Sequence, residues 1–234
     1  MDNNGSILLN AVFDEFVKHG SEMFCGMRLA PTELEHCQIY YDFMNPPTGA
    51  TVVDLGCGIG GCGAYLQKID PSLEIINVVN EAPLIAEMKR LGRVCINASF
   101  ENTPLPNNFA DVVMFNESIG YGDLGKVLKE ASRLLKIGGI LTIKDFSPLD
   151  PSKEVIGFDE WDYYSHRPDI VLNVAYRNNL SIDKLQQPKI YMDHWDKIMG
   201  DNMDAKRVLG EDTKLLPLSQ TLYRFIKGNL SGRS

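Results

Sequence analysis

The chain has 234 residues, 44% hydrophobic and 23% charged, with a formal net charge of −8, a globular composition that supports one sizeable core. The acidic balance argues against a nucleic-acid partner, which calls for a basic footprint, and no apolar run approaches the ~20 residues of a membrane-spanning helix. The N-terminus MDNNGSILLN lacks the basic and apolar regions of a secretory signal. Five cysteines (Cys25, Cys37, Cys57, Cys62 and Cys95) without a CxxC pair favour a reducing, cytoplasmic setting over a disulfide scaffold.

Residues 7–18 place Leu8, Val12, Phe13 and Phe16 on one helical face. HGSEMFCGMRLAP reads as a loop, and Thr32 caps a second helix that stops before Pro46 and Pro47. Strand and helix then alternate: TVVDLG, GGCGAYLQKI, EIINVV, PLIAEMKRLG, VCINAS, ADVVMFN, DLGKVLKEASRLLKIGG and ILTIKDF. Such alternation means βαβ units and a doubly wound, mostly parallel sheet. Beyond Pro148, RPDIVLNVAYRNNL has helical spacing through Ile170, Val174 and Leu180. QPKIYMDHW and SQTLYRFIKG offer two further strands, or a strand and a helix. The organisation expected is residues 1–48 as N-terminal helices over the site, and 49–234 as the main domain.

The first strand runs into DLGCGIGG. No Lys-Ser or Lys-Thr follows, so the loop is not a P-loop. Gly56, Gly58, Gly60 and Gly61 fit GxGxG better than the dinucleotide spacing, and Asp54 stands where a dinucleotide fold keeps an apolar residue. VVDLGCGIGG resembles motif I of class I S-adenosylmethionine (SAM) dependent methyltransferases. The resemblance implies a seven-stranded Rossmann-like α/β fold with an N-terminal helical cap, and SAM as cofactor. It places Gly56, Cys57, Gly58 and Gly60 against the methionine part of SAM, with Asp54 organising the ammonium end. The family's ribose-binding acid is replaced here by Val79 and Asn80. Asn80 could serve in its place, as happens in methyltransferases of terpenoids and related lipids, or could cap the next helix. INASFENTPLP resembles the adenine-binding segment and assigns Ser99 and Phe100 to adenine, with Asn97 as a rival. KIGGILTI resembles the turn into strand five.

The acceptor site should lie beyond the carboxyl ends of the central strands. FNES and KDF would point Glu117 and Asp145 into one crevice, as general base or electrostatic stabiliser. FNESIGYGDLGKVLKEASRLLKIGGILTI resembles geranyl diphosphate C-methyltransferases, and sterol and mycolic-acid methyltransferases also place a glutamate there. The resemblance implies methylation of an isoprenoid alkene through a carbocation. Glu117 would be stabiliser and base, Tyr121 its aromatic neighbour, and Asn116 would lie beside the cofactor. Tyr41, Asp145, Tyr163, His166 and Trp195 are the expected acceptor contacts. Arg28, His36, His166 and Arg167 are candidate diphosphate ligands without a pattern, and Mg²⁺ enters only with a diphosphate acceptor. GSEMFCGMRLAPTELEHC also resembles the leading segment of phosphoethanolamine N-methyltransferases, which leaves N-methylation of a small amine open. A non-catalytic SAM-binding regulatory protein is the third reading. The partner expected is a small molecule, with self-association left open.

Overall fold

The structure, a computed structural model, describes residues 23–24, 27–28, 33–148, 152–158, 163–187 and 218–229. The helix expected over 7–18, the stretch QPKIYMDHW beyond its first residue, and Trp161 and Trp195 lie outside the described residues. Two-residue strands at Met23–Phe24 and Met27–Arg28 pair antiparallel. Helix α1 (Glu33–Met44) then leads to β1 (Thr51–Leu55), α2 (Gly61–Ile69), β2 (Glu74–Val79), α3 (Ala82–Arg90) and β3 (Cys95–Asn97). Next come β4 (Ala110–Asn116), α4 (Leu124–Leu134) and β5 (Leu135–Pro148). A small antiparallel pair, β6 (Val155–Phe158) with β7 (Tyr163–His166), precedes α5 (Pro168–Arg177), β8 (Leu180–Gln186) and β9 (Leu218–Lys227).

One sheet holds seven strands in the order β8-β9-β5-β4-β1-β2-β3. β3, β2, β1, β4 and β5 are parallel, and β9 runs antiparallel to both β5 and β8. The chain steps outward from β1 through β2 and β3, then returns to β4 on the other side. This reversal opens a crevice at the carboxyl ends of β1 and β4, where open α/β sheets bind ligands.

Alternation along the strands supplies both cores. Val53, Leu55, Val113, Phe115, Leu141 and Ile143 face α4 and α5. Val52, Val112, Met114 and Ile140 face α1 and α2, meeting Tyr40, Phe43, Met44 and Leu66. Both faces are covered, so the central strands are apolar almost throughout. In α4, Leu124, Val127, Leu128, Ala131 and Leu134 form one buried stripe, and Asp123 caps the helix by accepting from the Lys126 N–H at 2.9 Å. Each buried Leu or Val on that stripe contributes about 1.5–3 kcal/mol. α1 lies flat on the sheet. The Tyr40 hydroxyl donates to the Phe115 carbonyl at 3.1 Å beneath it.

Two boundaries differ from the sequence expectation. α4 ends at Leu134, and β5 begins at once instead of at Ile140. Leu180 opens strand β8 and does not extend the helix before it: Asn179 turns to φ 63 and bonds Gly228 through both its backbone and its amide. A left-handed residue ends a helix, and helical spacing alone does not register it. SQTLYRFIKG forms a strand. Among the described residues no helix is long and apolar enough to cross a membrane.

Candidate functional site

The glycine loop leaves β1 through three left-handed residues, Gly56 (φ 77), Gly58 (φ 57) and Gly60 (φ 73), a region that side chains rarely adopt. The Gly56 and Cys57 amides both donate to the Val78 carbonyl, at 3.0 and 3.2 Å, tying the loop to β2. A Cβ on Gly56 would lie 2.6 Å from the Ser118 Cβ. Ser118 in turn donates its hydroxyl to the Leu55 carbonyl at 2.7 Å. The FNES stretch therefore grips the loop from the β4 side. A Cβ on Gly58 would meet nothing within 4 Å, so the loop is open there. Gly60 caps α2 with no side-chain bond to the helix. Burial pushes the Cys57 thiol strongly up, which keeps it protonated beside Met88.

Asp54 precedes this loop and is 1% exposed, yet neither carboxylate oxygen receives a hydrogen bond from a described residue. Desolvation raises it from 3.8 to about 7. An unpaired buried carboxylate is costly, and a cationic donor entering over the loop would relieve it. The ammonium of SAM has that chemistry. The residues present therefore fit the cofactor: a buried carboxylate without a hydrogen bond from a described residue stands below a loop that is open at Gly58.

Val79 is 1% exposed and packs with Ile59, Leu84 and Met88, so its side chain lacks both access and chemistry for a ribose. Asn80 is exposed, and its amide, turned to face the neighbouring carboxylate, donates to both Glu81 oxygens at 2.8 and 3.1 Å. The N-cap of α3 is Glu81 and not Asn80, with no side-chain bond to the helix. Asn97, the last residue of β3, and Ser99 beyond it are exposed, with the Ser99 hydroxyl accepting from the Glu101 N–H at 3.2 Å. Phe100 is buried edge-on against Phe115, 6.2 Å between centroids. Its ring comes within 3.5 Å of where a Gly56 Cβ would stand.

At the end of β4, Glu117 takes φ 56, a left-handed conformation in a residue with a full side chain. Its N–H donates to the Lys144 carbonyl at 2.7 Å. Its Oε1 accepts from Lys144 Nζ at 2.5 Å and from Gln220 Nε2 at 2.6 Å. The Lys144 side chain is fully buried and that of Glu117 is 31% exposed. Lys144 also donates to the Asn116 Oδ1 at 3.3 Å, which commits that side chain to the same cluster. Oε2 of Glu117 receives no bond from a described residue.

Asp145 does not share this setting. Neighbouring residues on a strand face opposite ways, and Asp145 follows Lys144, so it lies across the sheet from the Glu117 cluster. It is 2% exposed and accepts from the Tyr163 hydroxyl, from the Ile119 N–H at 3.0 Å and from the Phe146 N–H at 2.7 Å. Desolvation raises it to about 6, against those donors and with help from the charge of Glu117. The expected convergence of Glu117 and Asp145 is thus replaced by two separate arrangements. Asp145 anchors the turn after β4 and the β6–β7 pair. Tyr121 packs edge-on to Tyr163, 5.0 Å between centroids, and burial raises its hydroxyl strongly. His166 on β7 has a buried Nδ1 without a bond to a described residue, and desolvation lowers its pKa against the pull of Asp123.

Tyr41 is a correction of another kind. Its hydroxyl donates to Asp70 at 2.9 Å, and Asp70 caps the carboxyl end of α2. That is the end of the helix away from the glycine loop, so Tyr41 stands far from Glu117. Arg167 is ion-paired with Asp169 at 2.5 Å. The side chains of Arg28 and His36 lie outside the described residues.

Residues 53–143 match a family model described as a methyltransferase domain. The chain is 31% identical to dimethylglycine N-methyltransferase of Parasynechococcus marenigrum over 57% of this chain and 53% of that protein. It is 32% identical to sarcosine/dimethylglycine N-methyltransferase of Aphanothece halophytica over 43% of this chain and 39% of that protein. It spans about half or less of the length of these curated relatives. Among solved structures, geranyl diphosphate C-methyltransferase of Streptomyces coelicolor superposes with a TM-score of 0.71 at 17% identity, covering 83% of this chain and 79% of that one. At that identity the likeness concerns the fold.

Proposed function

We propose that this chain, whose residues 53–143 match a methyltransferase domain, is a class I SAM-dependent methyltransferase that transfers the methyl group to the nitrogen of a small amine. SAM, when bound, supplies an electrophilic methyl group. Asp54 and the backbone around Gly58 would hold it, with Asn80, Glu81, Ser99 and Phe100 lining the side toward ribose and adenine. The chain's own part is positioning, exclusion of water and electrostatics.

The observation that carries the amine reading is the Glu117 carboxylate: one oxygen is held by Lys144 and Gln220, and the other, at the carboxyl end of β4, receives no bond from a described residue. An open carboxylate oxygen accepts from an amine N–H, and it stabilises the positive charge that nitrogen gains as the methyl arrives. Tyr121 lies with Tyr163 on the Asp145 side, where the charge of Glu117 reaches it less than that of Asp145. Two of the four diphosphate candidates also favour the amine, since Arg167 is ion-paired with Asp169 and burial favours neutral His166. Two relatives at 31–32% identity are named as methyltransferases of glycine-derived amines, which supports the same class.

Isoprenoid C-methylation is the second reading. The Tyr121–Tyr163 edge contact favours it, because aromatic faces beside a carboxylate suit a carbocation. With labelled SAM and a panel of glycine, sarcosine, dimethylglycine, phosphoethanolamine and geranyl diphosphate, the amine reading expects label on an amine. Label on the diphosphate alone would reject it in favour of the second reading. Glu117→Gln should cut turnover by about 10²-fold or more while SAM affinity stays nearly unchanged, and unchanged turnover would remove Glu117 from the chemistry.

A further inference from the structure

Lys144 is a fully buried cation on a central strand, and the contacts proposed above for cofactor and acceptor do not include it. A buried charge is retained only where it is paired in good geometry. We infer that Lys144 is a positioning residue for Glu117: with Gln220 it pins Oε1, and so aims Oε2 at the point from which the methyl group is transferred. The inference rests on the proposed role of Glu117 and assigns the machinery behind it.

Three features support it. Glu117 and Lys144 are joined twice, through the backbone at 2.7 Å and through the side chains at 2.5 Å. The backbone link holds Glu117 in its left-handed conformation, which is the turn that brings its side chain back over Lys144. Gln220 arrives on β9, the antiparallel strand beyond β5, so Oε1 is gripped from two strands and the carboxylate cannot rotate freely. Backbone strain of this kind persists only where surrounding contacts over-determine it.

A simpler role, charge neutralisation, makes the opposite prediction. Sinefungin, a SAM analogue, carries a protonated amine where SAM carries the transferring methyl, and S-adenosylhomocysteine carries nothing there. The preference for sinefungin over S-adenosylhomocysteine, read by calorimetry on the full chain, therefore reports an aimed carboxylate oxygen without any acceptor. Lys144→Met should lower that preference by about tenfold, the worth of one charge-assisted hydrogen bond, and leave the affinity for S-adenosylhomocysteine within about twofold. If Lys144 only balanced charge, its removal would strengthen the pull on the ammonium. A raised or unchanged preference overturns the inference. Should Lys144→Met not fold, Gln220→Leu gives the same reading: a loss of about threefold or more is expected, and no change overturns it. Glu117→Gln separates the two levels of the argument. If it leaves the preference unchanged, the proposed role of Glu117 fails and this inference with it. If it lowers the preference while Lys144→Met does not, only the inference fails.

Discussion

Replacing Asp54 with asparagine should stabilise the protein without ligand while weakening its hold on the cofactor. The side chain is 1% exposed, both oxygens are unbonded among the described residues, and desolvation raises it from 3.8 to about 7. In the unfolded chain the group loses its proton near 4, and in the folded protein near 7. The folded state thus binds more protons across that window, so stability falls as pH rises from about 4 to about 7 and then levels. The whole effect corresponds to about 4 kcal/mol. Asparagine removes the charge but leaves a buried amide short of partners, at a cost of about 1–3 kcal/mol. The net gain at pH 8 is about 2 kcal/mol, or a rise in Tm of about 4–8 °C for a domain of this size. The affinity for S-adenosylhomocysteine should fall by about 10- to 100-fold, as expected for a lost charge-assisted bond. Differential scanning fluorimetry at pH 5 and pH 8, with calorimetry at pH 8, reads both quantities. The gain in Tm should shrink at pH 5, where the wild-type carboxyl is protonated in the folded state. A variant that is less stable at pH 8 and binds the ligand as before would refute the reasoning.

Gly56→Ala adds left-handed strain of about 1–2 kcal/mol and a Cβ 2.6 Å from that of Ser118. With overpacking of about 1–3 kcal/mol, urea unfolding should show a loss of about 2–5 kcal/mol. Gly58→Ala meets open space, so it should cost only the strain of about 1–2 kcal/mol yet weaken S-adenosylhomocysteine by about tenfold or more in calorimetry, because the new methyl takes ligand room. Tyr163→Phe removes a donor from Asp145 and should destabilise by about 1–3 kcal/mol at pH 8. The loss should be smaller at pH 5, below the value of about 6 at which Asp145 titrates, and urea titrations at the two pH values compare them.

The parallel sheet was legible because alternation of apolar strands and amphipathic helices leaves few topologies, and the glycine loop because three left-handed residues in one short turn favour glycine. The acceptor side was harder to read. FNES and KDF mark the correct strand ends, but a motif does not say on which side of the sheet a residue lies. Asp145 looked like the partner of Glu117, whereas Lys144, one residue earlier, is the one that meets it. In ILTIKDF a lysine reads as an ordinary polar interruption, and the period-two alternation of β4 and β5 was the signal that could have paired it with Glu117. Gln220 was out of reach, since its contact joins residues 103 positions apart. Tyr41 was misplaced for a related reason: helical spacing shows that a residue is half-buried, but not which end of the sheet its hydroxyl reaches.

The most direct measurement is the fate of the transferred carbon. With SAM labelled by ¹³C in its methyl group, the full chain is incubated with mixed small amines and prenyl diphosphates, and the product resonance is assigned by NMR. The account predicts a nitrogen-bound methyl, lost in Glu117→Gln. A methyl bound only to carbon would contradict it.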